Sequence, residues 1–546
     1  MTTIETHATG TAPAAAGIAC VADWVTTTDH KRIGRLYLGG AALALLGSIA
    51  VAALLAYERV NIDRELVDIG SLTQLFSIYR FGLTYLVLAP LVVGAALAVV
   101  PLQVGARSLA FPRLAAGGFW LWLFGAGTGV FSLVKNGGPG GGDARFVDLF
   151  TLSVILVMAG LLAGVGSLAT TLFTNRAPGM NMRRMPVFSW SVLVMSLSLV
   201  VALPILVGDL IYVFVAHKYP SMSALSSNRG LSDWAGFGFT QPTTLLFAIP
   251  VLGFLADVAA TATRSRLKSR GELFAAVGLV GAAVFATVVQ WSVDLRSSFA
   301  DLSTGEKLKD LLPFALVHLL PLLGVLTAVA IAAKALTQKP KVTAPLVFGL
   351  GAGLLLLIAT TGNVLTHVGD AGLVGTVFEE GTWLAVVYAG VVATMGAVNY
   401  WGPKWWGKKM PIKSTLPMAL VAFTGGALAS LSMMVAGFAD QPGSVFPTVE
   451  RGADPVVNFP GVDAPTEVLN LIAYAGHILI GIAVLLFVVC TIRTFLTGEV
   501  VGDDPWDGVT LEWTTTSPAP TANFAEVHIV QSAEPLLDLE PTRSDA

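Results

Sequence analysis

Cysteine is nearly missing from this 546-residue chain. There are two, Cys20 in a polar N-terminal stretch and Cys490 inside an apolar run. That excludes a disulfide framework, a cysteine-ligated zinc site and an iron–sulfur cluster. Charge is scarce too. Asp, Glu, Lys and Arg make up 12% of the residues, about half the share of a soluble chain. So little charge does not solvate a globule of this length, and a soluble multi-domain protein is excluded. Lys and Arg form no long run and the net charge is −3, so a nucleic-acid partner has no support. Histidine numbers seven. Residues 1–22 lack the basic start and cleavage site of a signal peptide and read as a disordered tail. No internal repeat of useful fidelity is visible, which weighs against an inverted-repeat transporter.

What the chain does have is apolar length. Hydrophobic residues make up 54% and the mean hydropathy is +0.74. A membrane-spanning helix needs about 20 predominantly apolar residues. Roughly twelve such runs appear, near 34–56, 79–100, 117–135, 148–173, 188–215, 241–262, 272–294, 311–336, 343–362, 382–401, 416–437 and 467–495. The expected fold is an all-α integral membrane protein, with about twelve spans in a unit over 23–497. A polar, extended C-terminal tail over 498–546 follows, rich in Pro and Thr. The 57 glycines suit helices that approach closely in lipid.

Positive charge sets the orientation. With an even number of spans, the termini and the loops on their side carry 21 of the 32 basic residues. They include Arg264, Arg266, Lys268 and Arg270, and Lys404, Lys408, Lys409 and Lys413. Both termini are therefore expected in the cytoplasm.

The span boundaries carry specific strings. Asp23-Trp24-Val25-Thr26-Thr27-Thr28-Asp29-His30-Lys31-Arg32-Ile33-Gly34 precedes the first run, and Pro101-Leu102-Gln103-Val104-Gly105-Ala106 with Ala110-Phe111-Pro112-Arg113-Leu114 follows the second. Arg176-Ala177-Pro178-Gly179-Met180 leads to Met185-Pro186-Val187-Phe188-Ser189-Trp190, and the tail holds Asp504-Pro505-Trp506 and Leu511-Glu512-Trp513. One such string alone is ordinary interfacial anchoring. Four in order, over about 23–524, resemble subunit I of the haem–copper oxidases, in its actinobacterial cytochrome c oxidase branch.

That resemblance implies two haems and a copper ion held by six histidines. Each position is substituted. Where the family's second helix has its haem ligand, the run reads Phe76-Ser77-Ile78-Tyr79-Arg80, with Tyr79 at the ligand position. Counting back from Trp401 and Pro403, the haem-ligand pair of the tenth helix falls on Gly381 and Trp383. The copper ligands fall on Gln241, and on Gln290 and Trp291 or one residue later. The two arginines that hold haem propionates correspond to Gly443 and Ser444. The family's proton-relay glutamate and tyrosine are missing from Thr240-Gln241-Pro242-Thr243-Thr244-Leu245, while the anchors Pro101, Arg113, Pro242, Pro250 and Trp401 remain. No bound haem or copper is therefore expected. An empty haem cavity would cost roughly 24 cal/mol per Å³, and bulky Tyr79, Trp291 and Trp383 are expected to fill the space.

The remaining histidines do not rebuild a site. His7 and His528 lie in tails, His30 in the lead-in motif, and His217 and His367 near span ends. His318 and His477 lie inside apolar runs, where a histidine bonded to a neighbouring helix is the plainer reading than a ligand. Asp209 interrupts the fifth run and stays open between a proton or ion path and an interfacial role. Asp257 and the pair Glu379-Glu380 are expected at interfaces. The leading expectation is a catalytically inactive relative of cytochrome c oxidase subunit I, acting as a structural, assembly or regulatory subunit among other membrane subunits and the lipid bilayer. The alternatives are an active oxidoreductase with unorthodox or partner-supplied ligands, and a proton or ion pathway through the bundle.

Overall fold

The computed structural model describes residues 21–60, 66–67, 69–139, 141–219, 236–289, 291–295, 303–443, 464–526 and 529–539. Among these residues, twelve helices are long and apolar enough to cross a membrane. They are α1 (His30–Glu58), α2 (Ser71–Gln103), α3 (Pro112–Val134), α4 (Ala144–Thr174), α5 (Val187–Lys218) and α6 (Gln241–Thr263). The second half holds α7 (Arg270–Thr287), α8 (Thr304–Gln338), α9 (Ala344–Thr366), α10 (Val377–Trp406), α11 (Ile412–Gly437) and α12 (Thr466–Thr497).

Local chemistry sets the helix starts. The Asp29 carboxylate accepts from the Lys31 N–H to begin α1, and Asp143 does the same for Arg145 at α4. Ser303 and Glu306 close a capping box at the start of α8. Prolines shape the interiors. In α2, a wider π-type segment at Gly82–Leu88 precedes Pro90, and in α8 one at Ala315–Leu319 lies between Pro313 and Pro321. A proline has no N–H to donate, and the wider turn absorbs the broken ladder. The seventh span is shorter than its apolar run. It turns 3-10 at Gly281 and ends at Thr287, so Trp291 lies beyond it.

Burial sorts the helices into a centre and a ring. The apolar stretch of α2 is 100% buried and those of α6 and α10 are 94% buried, against 33% for α1 and α5. Three helices thus form the axis, and the others divide their surface between that axis and the surroundings. Small residues permit the closest crossings. A Cβ on Gly118 of α3 would come within 2.6 Å of the Gly160 carbonyl of α4. Between α11 and α12, a Cβ on Gly425 would meet the Ile480 nitrogen at 2.6 Å.

The tail after α12 is extended and bound across one end of the bundle, here the tail end. Its short strand β2 (Glu499–Val500) pairs antiparallel with β1 (Lys408–Lys409) between α10 and α11. Beyond it Trp506, Leu511, Glu512 and Trp513 are buried.

Candidate functional site

The sequence places candidate residues on α2 and α10, two of the axial helices. Tyr79 and Trp383 are both fully buried and meet edge to face, with ring centroids 5.1 Å apart. The Trp383 indole N–H donates to the Thr84 hydroxyl at 3.1 Å, and the Arg80 guanidinium lies 4.4 Å above the same ring. An edge-to-face aromatic pair with the indole N–H satisfied is a packed arrangement. Two residues before Trp383, Gly381 serves the α10–α11 crossing. A Cβ there would lie 2.7 Å from the Ser430 carbonyl oxygen and 2.8 Å from Met434 Cγ.

Next to this pair is an ion pair that the sequence reading did not anticipate. Arg59, just past α1, donates to both carboxylate oxygens of Glu380 on α10, at 2.7 and 3.2 Å. Both side chains are buried. Arg59 also donates to the Gly443 carbonyl at 2.5 Å, and its own carbonyl accepts from Asn470 at 3.0 Å. Glu380 was expected at an interface and is instead interior, because a buried carboxylate is tolerated where a fork of N–H donors faces it. Gly443, expected at one propionate-arginine position, accepts from that guanidinium through its carbonyl. Ser444, the other, lies outside the described residues.

Of the positions expected to correspond to copper ligands, Gln241 and Trp291 lie among the described residues. Gln241 is buried at the start of α6, and neither amide atom has a hydrogen-bond partner among the described residues. Gln290 lies outside the described residues. Trp291 is 37% exposed, beyond the end of α7, and fills no central space as it was expected to. The reason is the early 3-10 end of α7, which releases the chain before residue 291.

The other intramembrane polar residues separate. Asp209 is half-buried on the flank of α5, and its Oδ2 has no partner among the described residues. His477 on α12 is buried, with its Nδ1 2.6 Å from the Tyr388 hydroxyl of α10. His318 on α8 is buried, with its Nδ1 2.7 Å from the Asn363 amide. It stacks on His367 at 3.9 Å between ring centroids. Burial holds the His367 imidazole below its ordinary pKa.

At the tail end a second polar cluster joins five segments. Asp257 of α6 accepts from the Val187 and Phe188 N–H groups at the start of α5, at 3.1 and 3.3 Å, and from Gln103 at 2.9 Å. Gln103 also donates to Glu512 at 3.1 Å and accepts from the Ser189 hydroxyl at 2.7 Å. The Trp401 indole N–H donates to the same Glu512 oxygen at 3.1 Å. Asp257 was expected at an interface and is instead the buried cap of α5. Burial pushes the Glu512 carboxyl above its ordinary pKa. The available sequence signal for Glu512 was its place between Leu511 and Trp513, an apolar pair inside a polar tail.

These geometries do not fit haem iron held between two imidazoles. Tyr79 and Trp383 are in contact with each other, Trp383 has no lone pair to give, and Gly381 has no room for a side chain.

The chain matches the family model described as cytochrome c and quinol oxidase polypeptide I over residues 32–479. It is 30% identical to a cytochrome c oxidase subunit 1-beta of Streptomyces coelicolor, over 96% of this chain and 91% of that one. It is 28% identical to cytochrome c oxidase subunit 1 of Bacillus subtilis, over 94% of this chain and 82% of that one. Among solved structures, a chain of a heme-copper terminal oxidase dimer superposes with a TM-score of 0.62 at 14% identity. That match covers 93% of this chain and 88% of the other. These matches correct the expectation that no cofactor is called for. The relatives are oxidase subunits of a haem- and copper-binding family, so substituted ligand positions do not establish that haem and copper are absent.

Proposed function

Because the chain belongs to the subunit I family of haem–copper oxidases, described as cytochrome c and quinol oxidase polypeptide I, we propose that it acts as a structural, assembly or regulatory subunit of an oxidase-type membrane complex and does not itself reduce oxygen. It is a multi-pass protein of the bacterial inner membrane. In this reading Tyr79, Gly381 and Trp383 stand at the family's haem-ligand positions, Gly443 and Ser444 at its propionate arginines, and Gln241, Gln290 and Trp291 at its copper ligands. The observation that carries the reading is the direct contact of the Tyr79 and Trp383 rings. Two residues that should face each other across a metal instead pack as neighbours. The buried Arg59–Glu380 pair beside them ties α1 to α10.

The orientation proposed with it puts both termini in the cytoplasm, on the ground that 21 of the 32 basic residues lie on their side. The proposed units are the membrane domain, 23–497, and the tail, 498–546.

The test is oxygen uptake by the full-length chain, purified in mild detergent and supplied with reduced cytochrome c or a quinol. No uptake above a detergent blank is expected, together with co-purification of other membrane subunits on a tagged chain. Sustained uptake by the chain alone overturns the reading, whatever haem it carries.

A further inference from the structure

A cleft of about 1300 Å³ opens at the tail end between the start of α11 and the end of α12. Four basic side chains line it, Lys341, Lys409, Lys413 and Arg493, against one acidic residue, Glu499. Two of the four are engaged. Lys341 pairs with Asp507 at 3.4 Å, and Lys409 donates to the Pro505 carbonyl and sits 3.7 Å over the Trp506 ring. No hydrogen bond or ion pair among the described residues engages the Lys413 ammonium or the Arg493 guanidinium. Helix α11 also begins here, and its N-cap, Pro411, offers no side-chain acceptor to the first-turn N–H groups. Those groups and the two cations favour an anion at the same place.

The deeper wall is of the opposite character. Leu486, Val489 and Met418 line it, and Leu486 and Val489 are exposed on the flank of α12. Leu486 precedes Arg493 by two helical turns, about 10 Å along the axis. An occupant therefore carries negative charge at one end and apolar length at the other, and it enters from the side of the bundle. Basic pockets between spans, at the level of the headgroups, suit anionic lipids.

We propose that this cleft binds one anionic phospholipid, its phosphate between Arg493 and Lys413 and its acyl chains against Leu486, Val489 and Met418. The full-length protein, delipidated in mild detergent, is loaded with phosphatidylglycerol or phosphatidylcholine and weighed by native mass spectrometry. Phosphatidylglycerol is expected to be retained at least tenfold better, a preference that the double variant Lys413→Gln/Arg493→Gln removes. Cys490 lines the same cleft and supplies a second readout. With Cys20→Ser, phosphatidylglycerol should slow maleimide labelling of Cys490 several-fold. Should the charge variant fail to fold, Ser414→Trp fills the cleft without altering its charge and should abolish the protection. Equal retention of phosphatidylcholine, undiminished retention by the variants, or equal protection by inorganic phosphate alone overturns the proposal.

Discussion

A buried ion pair has most effect when half of it is removed. Arg59→Ala strands the Glu380 carboxylate beside Tyr79, and Glu380→Ala strands the guanidinium. Each single change is expected to cost about 3–5 kcal/mol, while a paired apolar replacement, Arg59→Met with Glu380→Leu, costs far less. Thermal unfolding in detergent measures both, and a double-variant loss equal to the sum of the two single losses would show that the pair is not coupled. Glu512 gives a prediction of a different sign. Its folded pKa lies above the ordinary carboxylate value, so the stability tied to its proton is full below that value and fades as pH rises. The neutral Glu512→Gln should gain melting temperature over wild type as pH goes from 5 to 8. A difference that shrinks or reverses would contradict the burial argument. The residue scale is also where the sequence is least legible. Tyr79 and Trp383 were found because Pro90, Pro101, Trp401 and Pro403 fix their register. Arg59 and Glu380 are 321 residues apart, and no local pattern joins them.

At the scale of elements, all twelve spans were legible in the sequence, though α2 begins eight residues before its expected run and α8 seven. Long apolar runs have one stable answer in lipid, since every backbone N–H must be bonded within its own helix. The error at α7 came from treating an apolar run as one helix. Its 3-10 turn at Gly281–Thr287 has no strong sequence mark, and it displaced Trp291 from the expected filling role. Crossings were less visible than spans, because a glycine at an interface and one facing lipid look alike in sequence. Gly381→Ala should cost about 1–3 kcal/mol by overpacking against Ser430 and Met434. Gly381→His, which restores a family ligand by name, should cost more. A stable Gly381→His variant would mean that α10 and α11 can move apart.

For the whole molecule, the tail works as a clasp rather than a trailing arm. Lys404 donates to the Asp503 and Thr515 carbonyls at 2.7 and 2.5 Å, and Trp506 donates to the Tyr400 carbonyl at 2.9 Å. Its polarity is real, but Gly508–Trp513 is buried without a break, a local run that composition averages away. Removing 498–546 uncovers Gln103, Asp257 and Trp401 together, so the truncated chain should melt lower and accumulate less in membranes. A chain that melts like the full-length protein would reduce the tail to decoration. The proposed orientation is checked on the same segment. A fluorescent protein fused after Ala546 should fluoresce and an alkaline phosphatase there should be inactive.

The bond between His30 and Asn523, 2.9 Å long, closes 493 residues of sequence. Asn523 also accepts from Lys31 and donates to the Ala106 carbonyl, at 2.9 and 2.7 Å. The first helix leaves the ribosome long before its partner exists, and contacts this distant are late by construction. Throughout synthesis the tail end of the bundle therefore stands open, with its carboxylate and glutamine in reach of water. Synthesis of the tail is what shuts it, so that end of the bundle closes only after the twelfth helix has been made.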